Sequence, residues 1–235
     1  MYTATEMQEL YQCFARLLEY PTGETLPAAL TAQKIVATQD PEAAAQFQEF
    51  YAYAAALAHG RLEEVYTGTF DLDAACHPYV GYHLFGETYK RSAFLVELKQ
   101  RYNAEGFCFS DTELPDHLAV VLRFLSVTRD DVLATEIARD ALLPVLDRMT
   151  GRAKSEGFDQ DENAGAMESE SCSGSTPNFI PTMGPDAMSD SDAMPAVEHP
   201  RTQFHGILEA LRSILQTQMT ESDSVTTPLH VLEPA

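Results

Sequence analysis

The sequence predicts an all-α protein, a single helical bundle with a long disordered acidic insert before its last helix. Apolar residues recur at helical spacing in one segment after another, and residues that start or stop helices stand between these segments. No segment alternates apolar and polar residues over the length of a strand, and no Asn-Gly or Asp-Gly hairpin turn occurs. Helices of ordinary length joined by short loops are typical of a bundle.

The predicted helices follow from these start and stop signals. In chain order they cover residues 5–20, 24–38, 41–59, 61–70, 88–104, a segment opening at 114–116, a segment from 130 to near 151, and 203–216. The aromatic run 79–86 contains glycines and gives no clear local prediction. The sequence therefore predicts eight helices and leaves one segment undecided.

Capping residues set several of these boundaries. Thr5 and Gln8, three residues apart, predict a capping box at the start of the first helix. Asp40, followed by a proline, predicts an N-cap with proline in the first turn, and Gly60 is the expected end of that helix. Pro144 should kink or divide the long segment in which it stands, because proline removes a helical hydrogen bond.

Helical spacing also predicts which side chains are buried. In the helix 88–104 the expected core positions are Tyr89, Ala93, Leu95, Val96, Leu98 and Tyr102. In the next helix Pro115 and Asp116 are expected in the first turn, and the core face is Leu118, Val121, Leu122 and Leu125. The stripe of the last helix is Phe204, Ile207, Leu208, Leu211 and Leu215. This stripe is too apolar for a free tail, so we expect the helix to dock on the bundle.

Composition divides the chain into four parts. Residues 1–154 form the predicted helical domain, and 199–217 form the last helix that packs on it. Between them, 155–198 contains ten Asp and Glu residues and no Lys or Arg, with many Ser, Gly, Met and Pro residues. Such a segment buries too little apolar surface to offset its ordering entropy, so a disordered acidic linker is predicted. Residues 218–235 are predicted to be a flexible tail.

The charge balance restricts the class of partner. The chain has 15 Lys and Arg residues against 36 Asp and Glu residues, a formal net charge of −21. This balance argues against nucleic acid and anionic membranes, and it favours a cationic peptide. No apolar run is long enough for a membrane span, and the N-terminus shows no secretory signal. A cytoplasmic protein, monomeric or weakly dimeric, is expected.

Motifs for catalysis, metals or phosphate are missing from the sequence. It contains no H-E-x-x-H, no phosphate-binding glycine loop and no G-x-S-x-G elbow. The four cysteines form no C-x-x-C pair, and Cys76, His77 and His83 lack the tight four-ligand spacing of structural zinc. We therefore expect no enzyme activity, no cofactor and no metal site.

Asp116 and His117 form the best candidate for a special polar site. A carboxylate beside an imidazole can raise the pKa of the imidazole and could receive a basic or polar ligand at the start of a helix. The alternative is a capping acid beside a surface imidazole, which the spacing alone favours. Adjacent residues on a helix do not face one another, so a catalytic pair is not expected.

A second candidate combines acidic and aromatic residues. The aromatic residues are Tyr66, Phe70, Tyr79, Tyr82, Phe85 and Tyr89, and the acids around them are Glu63, Glu64, Asp71, Asp73 and Glu87. Glycines at 68, 81 and 86 interrupt the helices that carry them. Taken singly, each aromatic residue could belong to the core, and the acids could form a solvated rim around it. As a cluster, they suggest a groove for an amphipathic cationic peptide.

Four segments in order resemble the NarJ-type chaperones of the TorD/DmsD/NarJ group. They are R-L-L-E-Y-P at 16–21, Y-T-G-T-F-D at 66–71, the helix from 90 to 102, and E-L-P-D-H-L at 113–118, continued by R-F-L at 123–125. The resemblance covers about residues 6 to 150 and the closing helix. The chain departs from the family pattern in its acidic insert and in H-P-Y-V-G-Y-H at 77–83.

The resemblance implies a helical fold of the TorD/NarJ type and a chaperone rather than an enzyme. Such a chaperone binds the N-terminal peptide of the catalytic subunit of a molybdenum respiratory enzyme until the molybdenum cofactor is inserted. In the NarJ branch that enzyme is a nitrate reductase. The peptide-contacting or site-shaping positions expected here are Tyr66, Phe70, Asp71, Tyr89, Asp116 and His117. Two alternatives remain open: a structural subunit of an oxidoreductase, and an enzyme with an unrecognised site at Asp116 and His117.

Overall fold

The computed structural model describes residues 2–109, 113–153 and 201–225, with the side chains of the last range described for 203–220. The helices are α1 Ala4–Leu17, α2 Thr25–Val36, α3 Pro41–Ala56, α4 Arg61–Tyr66, α5 Val80–Phe85, α6 Tyr89–Ala104, α7 Leu118–Val127, α8 Asp131–Glu136, α9 Leu143–Met149 and α10 Arg201–Val225. Within the described residues the only β pairing is an isolated antiparallel bridge between Tyr79 and His117. The predicted all-α class is confirmed.

Helix α1 begins earlier than predicted. Its N-cap is Thr3, whose hydroxyl accepts from the Glu6 N–H at 3.2 Å, while the Glu6 carboxylate accepts from the Thr3 N–H at 2.8 Å. The predicted box at Thr5 and Gln8 is wrong, because a carboxylate satisfies the positive helix end better than a neutral amide does. Tyr2 precedes the cap and is buried, which anchors this start in the core.

Helix α7 lies at the centre of the bundle and packs against α1. It begins at Leu118, after the predicted first-turn residues Pro115 and Asp116, and His117 is its N-cap. The predicted core face is buried, as are most of the other residues of this helix. Eight of its ten residues are buried, so α7 contributes much of the core, while Arg123 and Val127 reach the surface.

Asp40 caps α3 as predicted and also holds α10. One carboxylate oxygen accepts from the Ala43 N–H at 2.9 Å, and the other accepts from the Ser213 hydroxyl at 3.0 Å. The prediction for Gly60 is wrong: α3 already ends at Ala56, and Gly60 precedes α4 with a φ of 83°. This left-handed conformation suits glycine at a turn between two helices.

Two helical stretches widen into π turns. Residues Thr67–Asp71 continue α4, and Ile137–Leu142 join α8 to α9. The predicted single helix 61–70 is thus an α-helix followed by a π segment. Pro144 stands in the first turn of α9, where its missing N–H is tolerated, and the π segment precedes it. Single π turns in helices occur frequently at functional sites.

Helix α6 is far less buried than its pattern predicted. Of the expected core positions only Leu98 and Tyr102 are buried, whereas Tyr89 is 87% exposed and Val96 is 58% exposed. Apolar residues do recur at helical spacing along α6. However, α6 packs mainly on the short helix α5, which covers only one narrow side of it. The outer part of the α6 stripe therefore faces solvent.

Helix α10 packs on α3 and α9 and completes the core. Its stripe is buried, and the Phe204 ring lies 5.3 Å from Phe50, 5.8 Å from Tyr66 and 5.1 Å from Phe70, measured between centroids. The helix continues to Val225, into the predicted tail. The predicted acidic linker 155–198 lies outside the described residues. No helix that the structure describes is both long and apolar enough to cross a membrane.

We predict that Phe204→Ala lowers the free energy of unfolding by about 3–5 kcal/mol, because a fully buried ring is lost and a cavity is left. Urea unfolding of the full chain measures the change. Tyr89→Ala is the matched control, since it also removes an aromatic ring, but one that is 87% exposed. It should change stability by no more than about 0.5 kcal/mol. Equal losses in both variants would contradict the assigned packing of α10.

Candidate functional site

The predicted site residues divide into a buried and an exposed group. Tyr66, Phe70, Asp116 and His117 are buried, whereas Asp71 and Tyr89 are exposed. The structure therefore does not bring the six residues together on one open surface. Of the six residues, only Asp71 and Tyr89 are open to direct contact with another molecule.

Tyr66 and Phe70 are buried by other side chains of the same chain. Their rings lie 4.8 Å apart, Phe204 covers both, and the Tyr66 hydroxyl donates to the Leu18 carbonyl at 3.3 Å. Part of the expected aromatic groove is thus filled by α10. Above this cluster, the ring of Tyr20 rests edge-on against Tyr66 at 5.7 Å and is 57% exposed. Tyr20 extends the aromatic cluster to the surface.

An open cleft of about 490 Å³ lies beside this exposed ring. We call it the acidic cleft; its lining residues are Tyr20, Gly60, Glu63, Glu64, Thr67, Gly68 and Leu72. Leu72 is 79% exposed, so the cleft offers two large apolar side chains to solvent. The first π segment forms one wall, and nothing lies within 4 Å of the position where Gly68 would carry a Cβ. The glycine keeps this wall open.

The electrostatic field around the cleft is negative. Glu63 and Glu64 line it, and Arg61 pairs with Glu64. Burial raises the pKa of Tyr79 to about 12, and the nearby charges of Glu113 and Asp71 add to the shift. The same three causes raise the pKa of Tyr66. Acids from three segments therefore act on one region, which would attract a cationic group.

Asp116 joins three segments beneath this region. Its Oδ2 accepts from the Gly81 N–H at 3.1 Å and from Arg91 Nε at 3.2 Å. Its backbone carbonyl accepts from the Val80 N–H at 2.9 Å. Burial raises the pKa of Asp116, and Arg91 and the Gly81 N–H oppose that shift. We call this set of contacts between Asp116, Gly81 and Arg91 the Asp116 junction.

The junction also positions Tyr79 and its neighbours. The Arg91 guanidinium lies over the Tyr79 ring at 5.5 Å, and the Tyr79 hydroxyl donates to Glu113 at 3.2 Å. The His117 ring contacts Tyr79 edge-on at 5.5 Å, and its Nδ1 accepts from the Ala119 N–H at 3.2 Å. The imidazole is thus a buried cap and not the surface group that spacing favoured.

These contacts account for His117 Nδ1 and for Oδ2 of Asp116, whereas Oδ1 of Asp116 is buried without a hydrogen-bond partner among the residues that the structure describes. Burial lowers the pKa of His117, while Glu113 and Asp71 oppose the shift, so the ring is neutral near pH 7. Asp116 is fully buried and bound to Gly81 and Arg91, which leaves it no open side toward a substrate. The arrangement favours a structural role for both residues over an enzyme site. Among the residues that the structure describes, no three His, Cys, Asp or Glu side chains come close enough to hold a metal ion.

Several residues of the site were missed by sequence reasoning. Leu72 stood outside every apolar stripe, and Gly81 and Arg91 were not connected to Asp116 because their contact spans separate helices. Tyr20 and Glu113 lie within the quoted R-L-L-E-Y-P and E-L-P-D-H-L segments, so those segments could have indicated them. Of these residues, only those that lie inside a recognised motif could have been identified from the sequence.

Comparison with known proteins identifies the family. The nitrate reductase delta subunit family matches residues 36–150. Over these residues the chain belongs to that family. The match contains α4 with its π segment, the Asp116 junction and the central helix α7. The NarJ-type resemblance found in the sequence is therefore confirmed.

Two known proteins are similar to this chain. The chain is 30% identical over 122 residues to the probable nitrate reductase molybdenum cofactor assembly chaperone NarJ of Bacillus subtilis (strain 168). This match covers 51% of the chain and 66% of the relative, so the chain spans just under two thirds of the relative's length. A crystal structure from Archaeoglobus fulgidus, described as a redox enzyme maturation protein, matches with 23% identity and a TM-score of 0.46 over 63% of this chain and 85% of that one.

We predict that Gly81→Ala destabilises the fold by about 1–3 kcal/mol, because the added methyl group would overpack a closed space. Its Cβ would lie 2.8 Å from Asp116 Oδ2 and 3.0 Å from Phe94 Cδ1. Gly206→Ala, also within a helix, is the matched control, since its Cβ would meet Gln46 at an ordinary 3.6 Å. Thermal unfolding should show a loss only for Gly81→Ala. A drop of equal size in the control would remove the junction as the cause.

His117 gives a prediction about pH. Its folded pKa lies below the ordinary value of 6.5, so its contribution to stability is present above that pH and is lost as the pH falls toward the folded pKa. His117→Asn keeps a capping acceptor but does not titrate. We expect the free energy of unfolding to fall less steeply from about pH 7 to about pH 5 in this variant than in the wild type. The exposed His59→Asn is the control, and parallel curves for the wild type and His117→Asn would contradict the assignment.

Proposed function

We propose that this protein is an assembly chaperone that binds the N-terminal peptide of a molybdenum enzyme's catalytic subunit, nitrate reductase being the expected client. It acts by binding and not by catalysis, and it supports insertion of the molybdenum cofactor into that subunit. The observation that carries the proposal is the acidic cleft, within a chain whose family and relative concern nitrate reductase. A cytoplasmic location and a monomeric or weakly dimeric state stay predictions.

The chemistry of the cleft determines what it can bind. Tyr20 and Leu72 offer apolar contact, and Glu63 and Glu64 stand beside them. An amphipathic segment would place its apolar side chains against the first pair and its Lys or Arg side chains against the acids. Asp71, exposed at the end of the π segment, extends the negative surface. The charge gives long-range attraction, and the apolar side chains give the short-range contact area.

The buried motif residues support this cleft indirectly. The Tyr66 ring contacts the Tyr20 ring at the surface. Phe70 and Phe204 pack against Tyr66 within the core. The Asp116 junction holds Tyr79 beside Glu113 through Arg91. We therefore assign Tyr66, Phe70, Asp116 and His117 a site-shaping role, Asp71 a contact with the peptide, and Tyr89 an outer position on α6.

The test uses a fluorescent peptide of the client's N-terminus and the full chain. We expect a dissociation constant of about 1 μM or lower, which increases with salt because exposed charges are screened. Gly68→Gln places a side chain in the cleft and should weaken binding at least tenfold, about 1.4 kcal/mol. Gly23→Gln is the matched control, since nothing lies within 4 Å of that Cβ position either and Gly23 lies outside the cleft.

A second variant tests the apolar contact itself, without blocking the acidic cleft. Leu72→Ala removes an exposed side chain, so it should leave stability unchanged and weaken the peptide about threefold to tenfold. Binding that is equally tight in the wild type, Gly68→Gln and Leu72→Ala would show that the peptide binds elsewhere. The absence of binding to the wild type would overturn the proposed function itself.

A further inference from the structure

A second cleft, between α1 and α7, carries charge of the opposite sign. Its volume is about 290 Å³, and its lining residues are Gln12, Arg16, Phe107, Arg123, Ser126 and Val127. No acid is among them, although the chain has 15 Lys and Arg residues against 36 Asp and Glu residues. We call it the arginine cleft. Two guanidinium groups in one cleft are unexpected in so acidic a chain and point to an anionic ligand.

The floor of the arginine cleft is apolar and rigid. Phe107 packs edge-on against Tyr102 at 5.2 Å and against Phe124 at 5.6 Å, and both of those rings are fully buried. Phe109 lies parallel to the Phe107 ring at 6.4 Å, and Phe107 itself is only partly buried and lines the cleft. Val127 is 50% exposed beside it. An apolar ring would find a fixed contact surface here.

Each of the two arginines has an acidic partner in the chain, and the partner of Arg16 is the more distant one. Arg123 pairs with Glu19, whose side chain is 26% exposed. Arg16 reaches Glu24 only at 3.6 Å, and both side chains are well exposed, at 47% and 66%. An exposed ion pair of this length contributes little to stability. Burial lowers the pKa of Arg123, and the like charge of the nearby Arg16 lowers it further.

We propose that the arginine cleft binds an oxyanion, a phosphate or a carboxylate, that is attached to an apolar ring. The planar forks of Arg16 and Arg123 would hold the oxyanion, because guanidinium donors match the geometry of both groups. The ring would lie on Phe107 and Val127. Arg16 can leave Glu24 at little cost, and the anion replaces that acid as its partner. The cleft shares no lining residue with the acidic cleft, so this inference does not rest on the proposed function.

The probes are phenyl phosphate and benzoate, which carry the two oxyanions on the same ring, with inorganic phosphate and phenol as the separate parts. Titration of the full chain, followed by amide NMR shifts, gives the affinity and the place of binding. We expect amide shifts in α1 and α7 with phenyl phosphate, benzoate or both. Inorganic phosphate alone and phenol alone should cause much smaller shifts. The tighter of the two ringed probes identifies the oxyanion that the cleft selects.

Charge-neutral variants supply the decisive comparison. Arg16→Gln should weaken the tighter probe about tenfold, since one charge-assisted contact is lost. Glu24→Gln should strengthen it, because the acid that competes for Arg16 is removed. Arg61→Gln, which removes an arginine paired with a glutamate at the acidic cleft, is the matched control and should bind as the wild type does. The proposal is overturned if neither ringed probe binds, or if Arg16→Gln and Glu24→Gln both bind as tightly as the wild type.

Discussion

The Asp116 carboxylate has no exposed surface, yet it lies where three segments of the fold meet. A buried carboxylate is unfavourable unless it is hydrogen-bonded and paired, and here Gly81 supplies the N–H and Arg91 the cation. Only glycine fits at position 81, because a Cβ there would overlap the carboxylate. The contact therefore constrains three residues at once and determines where α5 and α6 can lie relative to α7.

This constraint explains why the residues of the family motifs are largely inside. Asp116 and His117 begin α7, and Tyr66 and Phe70 pack under α10, so none of them offers an open surface. Their contacts are internal: His117 packs against Tyr79, which donates to Glu113, and Tyr66 packs against Tyr20. These motif residues thus lie beneath the surface, while the acidic cleft itself is lined by less distinctive residues such as Leu72.

Local physical chemistry made most helices predictable from sequence. Asp40 with a following proline marks a helix start without any knowledge of tertiary structure, and the stripe of α10 indicates burial by its periodicity alone. What could not be predicted depended on distant partners. The exposure of Tyr89 follows from how little of α6 is covered, the π turns arise without a local signal, and Gly81 meets Asp116 across 35 positions.

The net charge of −21 acts differently on the two clefts. At the acidic cleft the long-range field and the local acids have the same sign, so both would attract a cationic segment. At the arginine cleft they oppose each other: the overall field repels the anion that the two guanidinium groups would hold. Such repulsion is screened beyond about 8 Å, whereas contact with Phe107 and Val127 is not. A bare anion gains only the ion pairs and competes with Glu19 and Glu24 for them, so an attached apolar ring is what would make binding at this cleft selective.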